Sequence, residues 1–147
     1  MIPIASGASD TAEVDLLKAL TGQATTIFTT TPLAHVYVGL FTTNWATAHG
    51  SNTEVTGGSY ARVDSVGSWA APSGSGPASV ASNAAVTFPT SSAAWSASAA
   101  IKSFGIFTAL TAGTLLYGGD LTDQTKTVTG ASDVVSFASG ALTVTLA

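Results

Sequence analysis

From Thr25 onward, the chain consists of short runs rich in Thr, Val, Tyr, Phe and Gly, and turn residues separate each run from the next. Runs of this composition with alternating side chains are typical of the strands of a sandwich or barrel. Helical spacing occurs in one segment only, before that point. The length of 147 residues suits a single domain. The sequence therefore predicts an all-β fold with one short N-terminal helix.

Eight strands can be placed from the alternation and the turn signals. The best-defined pair is joined by residues 111–113, Thr-Ala-Gly, which predicts a hairpin. At the end of the chain, Leu142, Val144 and Leu146 alternate with threonines, which predicts a strand with one inward face. Eight strands is the number found in a jelly-roll, so we predict a jelly-roll-like antiparallel sandwich. The predicted strands are 34–42, 59–66, 80–88, 100–109, 114–121, 125–129, 134–137 and 142–146.

Residues 10–21 carry the helical pattern. Asp10 stands where an N-cap is expected, Glu13 follows three residues later, and Gly22 can end the helix in a left-handed conformation. An apolar stripe along this helix can dock on the sheet. The stripe positions are Val14 and Leu17, with Leu16 and Leu20 adjacent to them.

The predicted domain organisation is a single β-sandwich domain over residues 10–147, preceded by an N-terminal arm over residues 1–9. The arm begins with four residues that include three large apolar side chains, and it lacks the cationic region and long apolar stretch of a secretory signal. We therefore expect cytoplasmic synthesis. The arm residues that are candidates for an interface are Met1, Ile2, Pro3 and Ile4.

Charge is scarce and acidic, because four Lys and Arg residues stand against eight Asp and Glu residues, for a net charge of −4. Nucleic-acid binding needs several cations on one surface, so that class is disfavoured. No apolar run approaches the roughly 18 residues of a membrane helix. Cysteine is absent, which excludes disulfides and thiolate metal sites. A surface made largely of Ser, Thr, Gly and Ala is easily buried against another subunit, so we expect a homo-oligomer.

The segment from Glu54 to Val63 holds the single arginine of the chain, Arg62, after a pair of glycines. An arginine offers a fork of donors, and a carboxylate or backbone carbonyls must satisfy it. We therefore expect a nearby acid or a facing subunit, and we interpret the segment as architecture. Glu54, Tyr60 and Arg62 are structural or interface candidates.

Residues that could support catalysis are few. His35 lies within a predicted strand, where a packed or hydrogen-bonded side chain is the expected state, and His49 lies in a loop. Asp120, Asp123 and Asp133 lie in turn-rich sequence, where aspartate usually binds nearby backbone N–H groups. Neither a triad nor a carboxylate pair is indicated, so no catalytic residue, cofactor or metal is predicted and the protein is not expected to be an enzyme.

The remaining candidates are glycine pairs and tryptophans. The pairs Gly57-Gly58 and Gly118-Gly119 lack the Lys-Ser/Thr of a phosphate loop and are interpreted as bends or bulges. Trp45, Trp69 and Trp95 are interpreted as core or interface anchors. A sugar-stacking platform built from the same three tryptophans is the alternative.

Six segments, taken in their order along the chain, form a recognisable set: 17–22, 36–43, 54–63, 104–107, 115–119 and 136–144. Together they resemble a family of small tailed-phage virion proteins, often labelled tail fibre proteins, whose members are similar to trimeric jelly-roll head cement or decoration proteins. The resemblance implies a homotrimer that binds the major capsid protein on the outer capsid surface of the virion after synthesis in the host cytoplasm. A tail fibre, tail-tip or head-surface appendage that binds host glycan or receptor is the alternative.

Overall fold

The computed structural model describes residues 10–25, 32–48, 51–73 and 78–145. The fold is mostly β, with eight strands in antiparallel sheets, as the sequence predicts. The helix predicted near the N-terminus is present, and a second, short one follows the first strand. In chain order, the elements are α1 (Asp10–Leu20), β1 (Tyr37–Phe41), α2 (Trp45–Ala48), β2 (Val63–Asp64), β3 (Ser79–Ala81), β4 (Val86–Thr87), β5 (Ser103–Phe107), β6 (Leu115–Asp120), β7 (Ser136–Phe137) and β8 (Thr143–Thr145).

The strands form one four-stranded sheet in the order β2-β1-β5-β6 and two small sheets, β3-β8 and β4-β7. The β5–β6 pair is the hairpin that the sequence predicts. The pairs β3-β8 and β4-β7 join segments that lie far apart in the chain, so much of the fold depends on non-local pairing. This arrangement fits a jelly-roll-like sandwich.

Alternating residues of the large sheet and of the small sheets point into one hydrophobic core. Because side chains alternate across a strand, every second residue of β1 and β5 reaches this core. Trp95 and Phe88 are the largest of its fully buried side chains. The core residues contributed by strands include Val38, Leu40, Phe104, Ile106, Val80, Val86 and Val144.

Helix α1 lies against this core through Leu17, which is fully buried. Its Glu13 carboxylate accepts a hydrogen bond from the Ala78 N–H at 2.9 Å, which connects the helix to the segment that leads into β3. Gly22 follows the helix with a φ of 72°, as predicted for its left-handed end. Leu16, which is adjacent to the stripe, is 44% exposed and takes no part in this contact.

Three strand predictions need correction. Segment 80–88 is two strands, because Ala81 pairs with β8 whereas Val86 pairs with β7, and the chain bends between them. Segment 59–66 is a strand only over β2. Segment 125–129 is not a strand, since its carbonyls accept isolated hydrogen bonds, from Ile101 to Lys126 and from Trp95 to Val128, instead of a ladder. The predicted strand 142–146 is β8, and Leu146 lies outside the described residues.

Candidate functional site

Three glycines lie side by side across the outer face of the four-stranded sheet. Gly39 of β1 is opposite Gly105 of β5, which is opposite Gly118 of β6. A Cβ atom on Gly118 would lie 2.3 Å from the ring of Trp45. The missing side chains therefore leave a shallow channel over the backbone that neighbouring large side chains fill. The prediction that Gly118-Gly119 forms a bend or bulge is wrong, because both residues pair in regular register with β5, and the irregularity of β6 falls at Leu116 instead.

Aromatic side chains fill this channel and form a layer on the face opposite the main core. The rings of Phe41 and Phe107 lie 5.8 Å apart, and the ring of Trp45 lies 6.5 Å from that of Phe41. Phe41 and Phe107 are 2% and 6% exposed. The backbone N–H of Trp45 donates to Asp120 Oδ1 at 2.6 Å, which ties α2 to the end of β6. The central strands β1 and β5 are therefore covered on both faces.

Arg62 covers the aromatic layer on the outside. Its Cζ atom lies 3.4 Å from the centroid of the Phe107 ring, which is the geometry of a cation–π contact. Its Nε and Nη2 atoms donate to the two carboxylate oxygens of Glu54, each at 2.7 Å. The Arg62 side chain is only 8% exposed. The acid expected beside this arginine is therefore Glu54, in a bidentate pair that is the strong form of this interaction.

The remaining nitrogen of the guanidinium holds the loop between β5 and β6. Nη1 of Arg62 donates to the carbonyl oxygens of Ala109 and Ala112, at 2.8 and 2.6 Å. The loop is further closed by two hydrogen bonds between Thr108 and Thr114. Ala112 has a φ of 53°, a conformation that alanine rarely adopts without such support. Arg62 thus fixes the loop as well as the sheet.

Tyr60 completes the cluster by replacing a missing backbone partner. β1 pairs with β2 at one end and with Glu54 at the other, and between them the N–H of Leu40 donates to the Tyr60 hydroxyl at 2.8 Å. The same hydroxyl donates to Glu54 Oε1 at 3.2 Å. Burial, together with the nearby Glu54 carboxylate, raises the pKa of Tyr60 well above its ordinary value, so the hydroxyl keeps its proton.

Of the interface candidates from the sequence, Glu54, Tyr60 and Arg62 come together in this cluster, and Trp45 lies in the adjoining aromatic layer. Met1, Ile2, Pro3 and Ile4 lie outside the described residues. The sequence reasoning missed Phe107 and the three aligned glycines. Spacing alone could not reveal the glycines, because their alignment depends on the pairing of the β5–β6 hairpin with β1, which lies more than 60 residues earlier in the chain.

Two of the three tryptophans belong to the main core. Trp69 is 4% exposed and its Nε1 donates to Ser65 Oγ at 3.2 Å. Trp95 is 1% exposed, and its Nε1 donates to the carbonyl of Gly58 at 2.9 Å. Because both rings are buried, the three tryptophans do not form one exposed stacking platform.

The aspartates and the histidine of the described segments make local contacts. Asp123 Oδ1 accepts bonds from the N–H and hydroxyl of Thr125, which lower the pKa of Asp123. His35 Nδ1 lies 2.5 Å from Asp64 Oδ2. Partial burial alone would raise the pKa of Asp64, but the bond with His35 and one from the Val66 N–H outweigh it, so this pKa is lowered.

Asp133 likewise accepts a hydrogen bond from a backbone N–H four residues earlier, that of Thr129. Within the described parts of the chain, no three or more His, Asp or Glu side chains are grouped so that they could hold a metal ion. His49 lies outside the described residues. The contacts of Asp123 and Asp133 are those expected of aspartates in turns.

Comparison with protein families gives one match. Residues 7–145 match the family described as podophage GP4 fiber I protein gp80. The chain belongs to this family. It is therefore a structural protein of a bacteriophage virion, as the sequence resemblance implies at that level. No curated protein matches the chain. Among the described helices, none combines the length and hydropathy needed to cross a bilayer.

The surface formed by the described residues of this virion protein carries open depressions, two of which lie beside the elements discussed above. One, of about 330 Å³, lies beside the Arg62 cluster and the β5–β6 loop. The other, of about 520 Å³, lies between residues 121–126 and β7, with Ile101 and Val135 among its lining. The lining of the smaller depression consists of Glu54, Tyr60, Ala61, Arg62, Leu110, Thr111 and Ala112.

Proposed function

We propose that this virion protein is a cement or decoration protein that binds and stabilises the phage capsid as an oligomer, without enzymatic activity. Its partners in this proposal are the major capsid protein and further copies of itself, as a homotrimer. The place of action is the outer capsid surface. Binding across the junctions of capsid subunits would hold them together against the pressure of the packaged genome.

The observation that carries this proposal is the internal use of the polar cluster. Arg62 is the residue best suited to bind a carboxylate or phosphate ligand. Its guanidinium instead donates hydrogen bonds within the chain, to Glu54 and to two loop carbonyls. Among the described residues, no buried side-chain nitrogen or oxygen lacks a hydrogen-bond partner. A chain whose strongest polar groups stabilise its own fold suits a structural role, in which shape and stability are the useful properties.

The N-terminal arm, residues 1–9, is proposed to face the capsid. Its apolar side chains, Met1, Ile2 and Ile4, would gain most by burial against another protein. Deleting residues 1–9 should lower occupancy on purified heads without changing the unfolding midpoint of the domain. Full occupancy of the truncated protein on heads would contradict this part of the proposal.

The deciding experiment is location within the intact virion. A gold-labelled antibody or a genetically fused tag, viewed by electron microscopy, should decorate the head surface. A head lacking the protein should also release its DNA at a lower temperature than a complete head. A label confined to the tail tip would refute the cement function, while the fold would stand.

The second candidate is a fibre, tail-tip or head-surface appendage that binds host glycan or receptor, and the description of the family as a fibre protein supports it equally. With Trp69 and Trp95 buried, a glycan surface would have to use Trp45 or the loops. Binding to a glycan array or to host cells, lost on substitution of those loops, would favour this function. A cement protein should give no signal in either assay.

A further inference from the structure

The tip of the β5–β6 hairpin combines a protruding apolar side chain with an adjacent depression. Leu110 is 47% exposed, the most exposed large apolar side chain among the described residues. Directly beside it lies the depression of about 330 Å³, which Ala61, Arg62 and Ala112 also line. This volume has room for one leucine side chain. We name the two features together the tip surface, defined by Leu110, Thr111, Ala112, Ala61 and the Glu54–Arg62 pair.

The loop that carries Leu110 is held in one shape before any partner arrives. Arg62 Nη1 binds the carbonyls on both sides of Leu110, those of Ala109 and Ala112. Thr108 and Thr114 close the base of the loop. Ordering a loop during association costs free energy, and a loop already ordered avoids that cost. A single arginine therefore presents Leu110 as a rigid anchor.

The chemistry of the depression selects an apolar occupant. Its charged side chains, Glu54 and Arg62, neutralise each other and are already hydrogen-bonded. The Tyr60 hydroxyl also has its partners within the chain. A polar ligand would therefore find few free hydrogen-bonding groups in the depression. An apolar side chain would bury apolar surface there without breaking any of these hydrogen bonds.

We propose that the tip surface is a self-association surface, in which Leu110 of one copy occupies the depression beside Leu110 of a second copy. Each copy can offer its Leu110 to one neighbour and its depression to another, and a head-to-tail contact of this kind closes a ring when the rotation between copies allows it. The charges of Glu54 and Arg62 cancel within the tip surface. Two copies of a chain with a net charge of −4 repel each other overall, so a contact through this neutral surface avoids adding to that repulsion. The inference rests on the proposed oligomeric cement function and specifies its subunit contact.

Sedimentation of the purified full-length chain over a concentration series tests the contact. Leu110→Asp should weaken self-association about thirtyfold or more, which is the effect of removing a central interface anchor. Leu16→Asp and Val134→Asp are matched controls, since these side chains are 44% and 46% exposed and lie elsewhere. They should change association by less than about threefold. Wild-type protein that stays monomeric at tens of micromolar, or unchanged association of Leu110→Asp, overturns the proposal.

Because the chain has no cysteine, engineered thiols give an independent test. Mixing Ala61→Cys with Leu110→Cys should produce a mixed disulfide between copies under mild oxidation, and mixing Ala61→Cys with Leu16→Cys should produce it at least about tenfold more slowly. Equal rates for the two mixtures overturn the contact. Circular dichroism of each variant confirms that the fold is retained.

Failure of the contact and failure of the cement function are distinguishable. Leu110→Asp that associates normally and binds heads refutes the tip surface alone. A tip contact confirmed by both tests, in a protein found only at the tail, supports the self-association surface and refutes the cement function.

Discussion

Replacing Arg62 with lysine tests whether its guanidinium stabilises the aromatic layer and the loop between β5 and β6. Arg62 makes four hydrogen bonds, to Glu54 twice and to the carbonyls of Ala109 and Ala112, and stacks on Phe107. A lysine ammonium is a compact point charge that can keep one contact with Glu54 but cannot match the fork or the stacking. Three charge-assisted hydrogen bonds are then lost, partly replaced by water at the exposed loop.

At roughly 1 kcal/mol net for each lost bond, the free energy of unfolding should fall by about 3 kcal/mol. For a domain of this size, that corresponds to a fall in Tm of roughly 6–12 °C. Urea unfolding followed by tryptophan fluorescence measures the change, and Lys126→Arg, an exposed swap in the opposite direction, is the control. Hydrogen exchange should show that amides of residues 108–114 lose protection first.

A double-mutant cycle with Glu54→Gln separates the ion pair from the loop contacts. The coupling free energy between Arg62 and Glu54 should be at least about 1 kcal/mol, because the two side chains share a bidentate contact that is largely shielded from water. A loss of less than about 1 kcal/mol for Arg62→Lys, with unchanged exchange in the loop, would refute the reasoning. The segment would then be an ordinary surface turn.

Three further results are expected. Gly118→Ala should lower the free energy of unfolding by roughly 1–3 kcal/mol through overpacking, as urea titration can show, whereas Gly130→Ala, where a Cβ meets nothing within 4 Å, should change it little. The lowered pKa of Asp64 stabilises the fold at pH values above the pKa of the unfolded state, and this stabilisation is lost as pH falls through the folded-state pKa. Because Asp64 and His35 are exposed, Asp64→Asn should lower the free energy of unfolding by less than about 1 kcal/mol at pH 7. The same variant should lose less stability than the wild type as the pH is lowered. Leu17→Asp should detach α1, visible as a loss of helical circular dichroism below the global unfolding transition.

Sequence reasoning succeeded where the signal is local. The β5–β6 hairpin follows from alternation around a Thr-Ala-Gly turn, and the left-handed Gly22 follows from the end of a helical pattern. It failed for segment 80–88, because alternation continues through the bend between β3 and β4 without a proline or glycine to mark it. For Arg62, the sequence predicted the kind of partner, a carboxylate or backbone carbonyls, but not which residue supplies it. Its location eight residues upstream depends on how β1 brings the two segments together.

The aligned glycines have a consequence for how the protein can meet the rest of the virion. Antiparallel sheets commonly leave one face to solvent or to a partner. Here the residues of β5 are buried throughout, and so are four of the five in β1, because Phe41, Phe107 and Trp45 lie over the glycine backbone. The broad faces of these central strands are thus closed to neighbours. We therefore expect loops, more than these strands, to carry contacts with other virion proteins, and loops can change in sequence while the sheet that carries them stays the same.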